Sequence, residues 1–224
     1  MKVILFGATG MVGQGVLREC LLDRDVQQIL SIVRTPSGQQ HPKLRELVHS
    51  NFFDYSTIES ELRGFDACFF CLGVSSAGMD EAKYTHLTYE LTLAAATTLA
   101  RPNPEMTFVY VSGASTDSTE RGRIMWARIK GKTENDLLKL PFRAAYMFRP
   151  GFIQPLHGIR SKTKLYQFFY TALHPILPLL KSAFPKSITT TEELGRAMLN
   201  VAKHGCPKPI LEVPDIIRAA SSTS

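Results

Sequence analysis

The sequence contains few of the residues that build disulfide-stapled or metal-binding domains. It has four cysteines in 224 residues, too few for a disulfide framework in a chain of this length. Its six histidines show no metal-ligand spacing, so we expect no metal site. Cys68 and Cys71 have the spacing of a redox pair, but they lie in an apolar run typical of a buried strand. Residues three apart on a strand point to opposite faces, and we therefore expect core cysteines.

Long apolar runs are also missing. The most apolar stretch, residues 165–180, is too short and too interrupted by prolines to cross a bilayer. The glycine turn that begins at Gly7 comes before a signal-peptide core could form. These observations predict no membrane span and a cytoplasmic location by default. The net charge of +6 accompanies no nucleic-acid motif. The basic residues between Arg121 and Lys132 fit an anionic ligand or a solvated helix face better than nucleic acid.

The beginning of the chain carries the most information. Residues 3–6 form an apolar run without polar alternation, typical of a parallel strand that is covered on both faces. Glycines follow at three-residue spacing, and each has a role in a strand–turn–helix unit. Gly7 allows the sharp turn, Gly10 allows a pyrophosphate to approach the backbone, and Gly13 lets the helix pack against the strand. The stretch predicts a dinucleotide site at the start of the helix, which includes Thr9, Met11 and Val12.

The second predicted strand, residues 29–33, ends in a basic residue. In dinucleotide-binding folds an acidic side chain at this place binds the adenosine ribose when the cofactor is NAD. Here Arg34 occupies the place. A guanidinium accepts no hydrogen bond from a ribose hydroxyl, but it pairs well with a 2′-phosphate. The sequence therefore favours NADP(H) over NAD(H), with a solvated loop arginine as the alternative.

Alternating strands and helices predict the fold class, an α/β Rossmann-like doubly wound parallel sheet. The predicted strands are 3–6, 29–33, 46–53, 67–72, 107–111 and 143–148, with a candidate last strand at 210–213. The predicted helices are 11–22, 56–62, 80–100, 122–140 and 189–203, the last one capped by Thr191. We expect one nicotinamide-nucleotide-binding domain over residues 1–224, in which residues 151–224 form a C-terminal elaboration on the substrate side.

Ligands bind such sheets at the carboxyl ends of the strands, and polar or small residues follow several of the predicted strands. Asp54 follows the third strand and is placed either to reach the adenine amino group or to cap the next helix. Leu72, Gly73 and Val74 would pass beside the pyrophosphate and the nicotinamide ribose. The segment from Ser112 to Ser115 follows the fifth strand, and Pro150 follows the sixth. We expect these residues to meet at one edge of the sheet.

Taken together in this order, the motifs make the chain resemble the short-chain dehydrogenase/reductase superfamily. The nearest resemblance is to its atypical branch, close to sugar-nucleotide epimerases/dehydratases and oxidoreductases of the HIV Tat-interacting-protein type. It covers about two thirds of the chain, from Lys2 to Gly151. The motifs that carry it are Gly7-Ala8-Thr9-Gly10-Met11-Val12-Gly13, Val33-Arg34, Cys71-Leu72-Gly73, Tyr110-Val111-Ser112, Lys130-Gly131-Lys132-Thr133-Glu134 and Arg149-Pro150-Gly151.

The resemblance implies a catalytic set. In the family a tyrosine exchanges a proton with the substrate while a hydride moves to or from the nicotinamide. A lysine four residues later binds the nicotinamide ribose, and a serine at the end of the fifth strand orients the substrate oxygen. Carried over by position, Lys130 is the lysine and either Ser112 or Ser115 is the serine. Trp126 stands at the tyrosine position.

The tryptophan changes what the site can do, because an indole N–H donates a hydrogen bond but does not shuttle a proton. The proton must then come from water, from Lys130, or from a side chain outside this register such as Tyr84 or Tyr89. Trp126 could equally be a packing residue that walls the nicotinamide side of the pocket.

Two functions follow. One is an NADP(H)-dependent oxidoreductase or epimerase-like enzyme that acts on an alcohol or carbonyl of unknown identity, as a monomer or homodimer. The other is a non-catalytic NADP(H)-binding regulatory or sensor module, which Trp126 motivates. A nucleic-acid binder that uses the basic segment is the least favoured reading.

Overall fold

The computed structural model describes residues 1–159 and 187–222, and the apolar stretch 165–180 lies outside them. A seven-stranded sheet, in which all neighbouring strands are parallel, forms its centre. Its strands are β1 (Lys2–Phe6), β2 (Gln28–Val33), β3 (Leu44–Val48), β4 (Ala67–Phe70), β5 (Thr107–Val111), β6 (Ala144–Arg149) and β9 (Ile210–Glu212). Two short strands, β7 (Phe152–Gln154) and β8 (Ile188–Thr190), pair in parallel outside the main sheet. The predicted fold class, a Rossmann-like α/β sheet, is confirmed.

Helices cover both faces of the sheet. They are α1 (Met11–Leu22), α2 (Glu81–Thr85), α3 (Leu91–Ala100), α4 (Met125–Leu137), α5 (Thr191–His204) and α6 (Val213–Ser221). A π-helical segment, His86–Glu90, joins α2 to α3, and a 3-10 helix spans Ser56–Leu62. No helix within residues 1–159 and 187–222 is long and apolar enough to cross a membrane.

The absence of polar alternation in β1 is explained by its two buried faces. Val3 and Leu5 pack into one apolar layer with α1, α5 and α6. Ile4 and Phe6 pack into the other layer, with the 3-10 helix, α3 and α4. All four side chains are fully buried. The sheet therefore has an apolar layer on each side, and its strand ends are the places left for polar chemistry.

The strand order β3-β2-β1-β4-β5-β6-β9 reverses direction between β1 and β4. The chain leaves β1 toward one side of the sheet and leaves β4 toward the other. The backbone N–H of Cys71, which follows β4, donates to the carbonyl of Phe6 at 3.0 Å. A crevice opens at such a reversal because the two connections diverge, and this is where doubly wound sheets bind ligands.

The cysteines belong to the apolar layers, as expected. Cys68 is buried in the layer with α3 and α4, whereas Cys20 is buried in the layer with α1 and α5. Cys71 lies partly buried against this second layer, on the opposite side of the sheet from Cys68. Burial raises the pKa of all three thiols, which keeps them protonated and unreactive.

Several predicted boundaries are wrong. The third strand lies at residues 44–48 rather than 46–53, because the chain turns after Val48 and sends Phe52 back into the core. The helix predicted at residues 56–62 has those bounds and is a 3-10 helix. The cap of α5 is Thr190 rather than Thr191, and its hydroxyl and the Glu193 carboxylate form a reciprocal capping box.

Helix α6 is missing from the sequence prediction, although its signals are present. Pro214 lies in its first turn, and Glu212 and Asp215 form a capping box. Both features are typical of a helix start.

Helices α1 and α5 approach each other closely through two glycines. A Cβ on Gly15 would lie 2.7 Å from the Thr191 side chain, and one on Gly195 would lie 2.6 Å from the Glu19 side chain. This contact fixes the C-terminal region against the helix that follows the glycine turn.

Candidate functional site

The glycine turn after β1 is held by close backbone contacts. Gly7 adopts a positive φ of 79°, and a Cβ there would lie 2.8 Å from the carbonyl of Cys71. The N–H of Gly10 donates to the carbonyl of Gly7 at 2.9 Å. A Cβ on Gly13 would lie 2.0 Å from the same carbonyl oxygen. Gly7 and Gly13 are therefore required by sterics, as the sequence predicts.

Helix α1 begins at this turn with its N-terminus open. Gly10 is the N-cap and offers no side chain, and the first turn contains no acidic residue. The N–H groups at the start of a helix have no intrahelical acceptor. The turn therefore presents those of Met11, Val12 and Gly13, with the positive end of the helix dipole behind them. The arrangement suits an anion.

A cleft of about 580 Å³ lies beside the turn, at the carboxyl ends of β1 and β2. Residues from four connections line it, among them Gly7, Thr9, Gln14, Arg34, Phe52 and Leu72. Arg34 follows β2, is exposed, and makes no hydrogen bond or ion pair within the residues that the structure describes. An unpaired guanidinium at the rim of the cleft is available for a ligand.

Asp54 is not part of this cleft. It lines a separate groove against α3, and the cleft receives Phe52 from the same connection. The Asp54 carboxylate accepts the backbone N–H of Ser56 at 2.9 Å, and this bond lowers its pKa. This bond forms a local turn just before the 3-10 helix, whose N-cap residue is Tyr55. The predicted adenine contact stays a prediction.

The connection after β4 begins at the cleft. Leu72 lines the cleft, and the next two residues, Gly73 and Val74, are exposed to solvent. Val74 is 40% exposed, which is high for an aliphatic residue. An exposed apolar side chain on this connection suits contact with the flat face of a ring or sugar.

The two candidate serines differ in the use of their hydroxyls. Ser112 is buried, and its Oγ donates to the carbonyl of Phe148 at 3.1 Å. Ser115 is exposed, with a left-handed φ of 67°. The carbonyl of Pro150 accepts the N–H of Ala114 at 2.8 Å, which ties the segment 112–115 to the end of β6. Only Ser115 has a hydroxyl proton that is not committed to the protein.

Lys130 reaches the same edge of the sheet from α4. Its Nζ donates to the backbone carbonyl of Ser112. Burial lowers the pKa of Lys130 to about 8, and the Glu134 carboxylate one helical turn away opposes that shift. The lysine and the serine segment that the sequence predicted as one site therefore meet.

The two tyrosines that could supply a proton in place of residue 126 are buried or hydrogen-bonded within the protein. Tyr84 is 2% exposed, and burial raises the pKa of its hydroxyl. The Tyr89 hydroxyl donates to Asp136 at 2.9 Å; burial and this carboxylate raise its pKa. Trp126 is half-buried, and its indole has no hydrogen-bond acceptor within residues 1–159 and 187–222.

A buried charge cluster below Lys130 is absent from the sequence prediction. Glu134 is fully buried, and both its oxygens accept from Arg149, with Nε to Oε1 at 3.0 Å. Arg149 also binds Glu212 at 3.2 Å and the hydroxyl of Ser118 at 2.6 Å. The cluster joins α4, β6 and the end of β9. Glu134 and Arg149 belong to sequence motifs, but no local pattern around either residue indicates that they form an ion pair.

Gly131, beside Lys130, is required by a contact that the sequence did not indicate. A Cβ on Gly131 would lie 1.8 Å from the carbonyl oxygen of Asp117. The carboxylate of Asp117 in turn accepts the N–H groups of Thr119 and Gly122 at 2.9 and 2.7 Å. The loop before α4 therefore packs directly on the helix that carries Lys130.

Comparison of sequences finds relatives among fungal mitochondrial proteins. The chain is 25% identical to Protein FMP52, mitochondrial, of Meyerozyma guilliermondii, with 90% of this chain and 85% of the relative covered. It is 28% identical to Protein fmp52, mitochondrial, of Emericella nidulans, with 89% and 86% covered. No family model matches the chain. These relatives correct the cytoplasmic expectation, which is wrong: their names place them in mitochondria, a location that the composition of this sequence does not indicate.

Comparison of structures finds nucleotide-binding enzymes with little sequence similarity. The UDP-N-acetylglucosamine 4-epimerase of Bacillus cereus superposes with a TM-score of 0.68 at 13% identity, covering 94% of this chain and 74% of the epimerase. The Bordetella bronchiseptica enzyme WbmF, solved with NAD+, gives a TM-score of 0.65 at 16% identity, covering 97% and 76%. An Agrobacterium tumefaciens short-chain dehydrogenase/reductase superfamily protein with bound NAD gives 0.62 at 13% identity, covering 97% and 81%.

The chain therefore has the fold of short-chain dehydrogenases/reductases and sugar-nucleotide epimerases, as the motifs predict. The narrower resemblance to Tat-interacting-type oxidoreductases stays a prediction.

Proposed function

We propose that this chain binds NADP(H) in the cleft beside the glycine turn and acts as an oxidoreductase or epimerase-like enzyme on an alcohol or carbonyl. The observation that carries the proposal is the open start of α1 at a turn where Gly7 and Gly13 leave no room for a Cβ. The NAD-bound proteins of the same fold add support. The names of the fungal relatives support a mitochondrial setting for the activity.

The described residues fit a dinucleotide in each of its parts. The N–H groups of Met11, Val12 and Gly13 would bind the pyrophosphate, and Arg34 would bind a 2′-phosphate on the adenosine. Leu72, Gly73 and Val74 would lie along the middle of the cofactor, and Pro150 would close the nicotinamide end. Asp54 lines a separate groove, and its contact with the adenine amino group stays a prediction.

The catalytic end would be built from Lys130 and Ser115. Bound nicotinamide would supply or accept a hydride. To polarise a carbonyl a serine must donate its proton, and that of Ser112 already goes to Phe148. We therefore assign the substrate-binding role to Ser115. Lys130 would bind the nicotinamide ribose, and Trp126 would form the wall of the pocket.

Arg34→Asp is expected to weaken NADPH binding about ten- to a hundredfold, and to spare NADH. The expectation follows because hydrogen bonds between charged groups are worth roughly 1.5–3 kcal/mol. Isothermal titration calorimetry of the purified protein with each nucleotide measures the two affinities.

Arg45→Asp is the matched control, because Arg45 of β3 is also an exposed arginine but does not line the cleft. Its guanidinium instead pairs with the Glu61 carboxylate at 2.6 Å. It should leave both affinities within about twofold. Equal losses of NADPH and NADH in Arg34→Asp would show that Arg34 does not read the phosphate.

A second candidate, a non-catalytic NADP(H) sensor, is favoured by Trp126 at the position where the fold family uses a tyrosine. The two functions differ in turnover. NADPH oxidation with a panel of aldehydes, ketones and nucleotide sugars supports the enzyme. Tight NADPH binding without turnover of any of them supports the sensor.

A further inference from the structure

The proposed enzyme needs a proton donor for the substrate oxygen, and Trp126 cannot be one. Tyr84 is buried in the core, and the Tyr89 hydroxyl donates a hydrogen bond to the Asp136 carboxylate. Ser112 donates to Phe148. Among the described residues at this edge of the sheet, Lys130 has a cationic group that can release a proton.

The geometry leaves the Lys130 ammonium with donors to spare. An ammonium has three N–H bonds, and one of them goes to the carbonyl of Ser112. The described part of the chain offers no acceptor for the other two. Two of its N–H bonds are therefore available to ligand oxygens.

The carboxylates near Lys130 are bound by Arg149 and form no direct ion pair with the lysine. Glu134 is the nearest carboxylate, but Arg149 from β6 occupies both of its oxygens. Glu212 at the end of β9 is held by the same arginine. Tyr110 of β5 and Tyr84 of α2 also face this part of α4, and both are buried and protonated. The Glu81 carboxylate of α2 pairs with Arg128 at 2.8 Å, and the Tyr89 ring lies under the Lys132 ammonium. The ammonium is therefore desolvated, and no carboxylate in the described chain bonds it directly.

We propose that Lys130 is the general acid of the reaction and delivers the proton that a tyrosine hydroxyl delivers elsewhere in this fold. The inference rests on the proposed function. In the reducing direction, reduced nicotinamide bound in the cleft would supply a hydride to the carbonyl carbon, and the C=O π pair would move onto oxygen. That oxygen takes a proton from Nζ, and the neutral amine regains a proton from water. Burial supports the role, since it lowers the pKa of Lys130 to about 8, close to working pH.

Direct titration of Lys130 tests the inference without turnover. In the intact protein with ¹³C-methylated lysines, the NMR resonance lost in Lys130→Arg belongs to Lys130. We expect it to titrate near pH 8, below the ordinary range of a lysine side chain. A Lys130 that titrates above pH 10 overturns the proposal.

Kinetics separates proton donation from cofactor binding. Arginine keeps the positive charge but does not release a proton. Lys130→Arg should therefore lower kcat about a hundredfold while NADPH affinity in calorimetry stays within threefold. The double variant Trp126→Tyr/Lys130→Arg should have a kcat at least tenfold above that of Lys130→Arg, because the tyrosine places a phenol hydroxyl one helical turn before residue 130. Lys132→Arg is the control and should leave kcat unchanged.

Retention of kcat in Lys130→Arg would overturn the assignment and leave the proposed function standing. Absence of NADPH binding by the wild-type chain would instead overturn the proposed function. The NMR titration stands on the folded protein in either case, so the two failures are distinguishable.

Discussion

Gly13→Ala is expected to destabilise the protein by about 3 kcal/mol and to abolish measurable binding of NADPH. A Cβ on Gly13 would lie 2.0 Å from the carbonyl oxygen of Gly7 and 2.6 Å from its carbonyl carbon. Both atoms are backbone, so no side chain can rotate away. Helix α1 would have to move off β1, and the N–H groups at its start would move with it. Urea unfolding measures the first effect, and isothermal titration calorimetry measures the second.

Gly10→Ala is the matched comparison, because it adds the same methyl group three residues earlier. Its Cβ would meet only the carbonyl oxygen of Gly7, at 3.3 Å. We expect a loss of less than about 1 kcal/mol, together with a loss of NADPH binding, since the methyl group would stand where the pyrophosphate approaches. A Gly13→Ala protein as stable as the wild type would show that α1 is not packed on β1 as the structure describes.

These two glycines also show which parts of the fold the sequence can predict. The bounds of α1 are predicted to the residue, because a buried strand, a glycine turn and an amphipathic helix are all local patterns. The third strand is misplaced because β3 lies at the edge of the sheet and is only half-buried, so its apolar signal is weak.

Contacts between distant segments were not predictable in the same way. Arg149 and Glu134 are recognisable as motif residues, but their ion pair depends on α4 lying across the end of β6. Gly15 and Gly195 look like ordinary helix residues until α1 and α5 are packed together. In both cases the sequence supplies the residue type, and only the tertiary structure supplies the partner.

Arg149→Met is expected to cost about 3–5 kcal/mol of stability, the range measured when one member of a buried ion pair is removed. Glu134 is 0% exposed, and Arg149 occupies both of its oxygens. Methionine fills the volume of the arginine stem but leaves the carboxylate desolvated and unpaired. Chemical unfolding at pH 7 measures the change. Because the freed Glu134 carboxylate acts on Lys130 with less competition, the pKa of Lys130 should rise in the same variant, which NMR titration detects.

The double variant Glu134→Gln/Arg149→Met separates the buried charge from the lost packing. If the cost comes from an uncompensated carboxylate, neutralising Glu134 should restore more than half of the stability that Arg149→Met loses. The surface pair of Arg45 and Glu61 provides the contrast: both side chains are largely exposed, and Arg45→Met should cost less than about 1 kcal/mol. A loss of under about 1 kcal/mol in Arg149→Met would mean that solvent reaches Glu134 in solution. The link between α4 and β6 would then not depend on this ion pair.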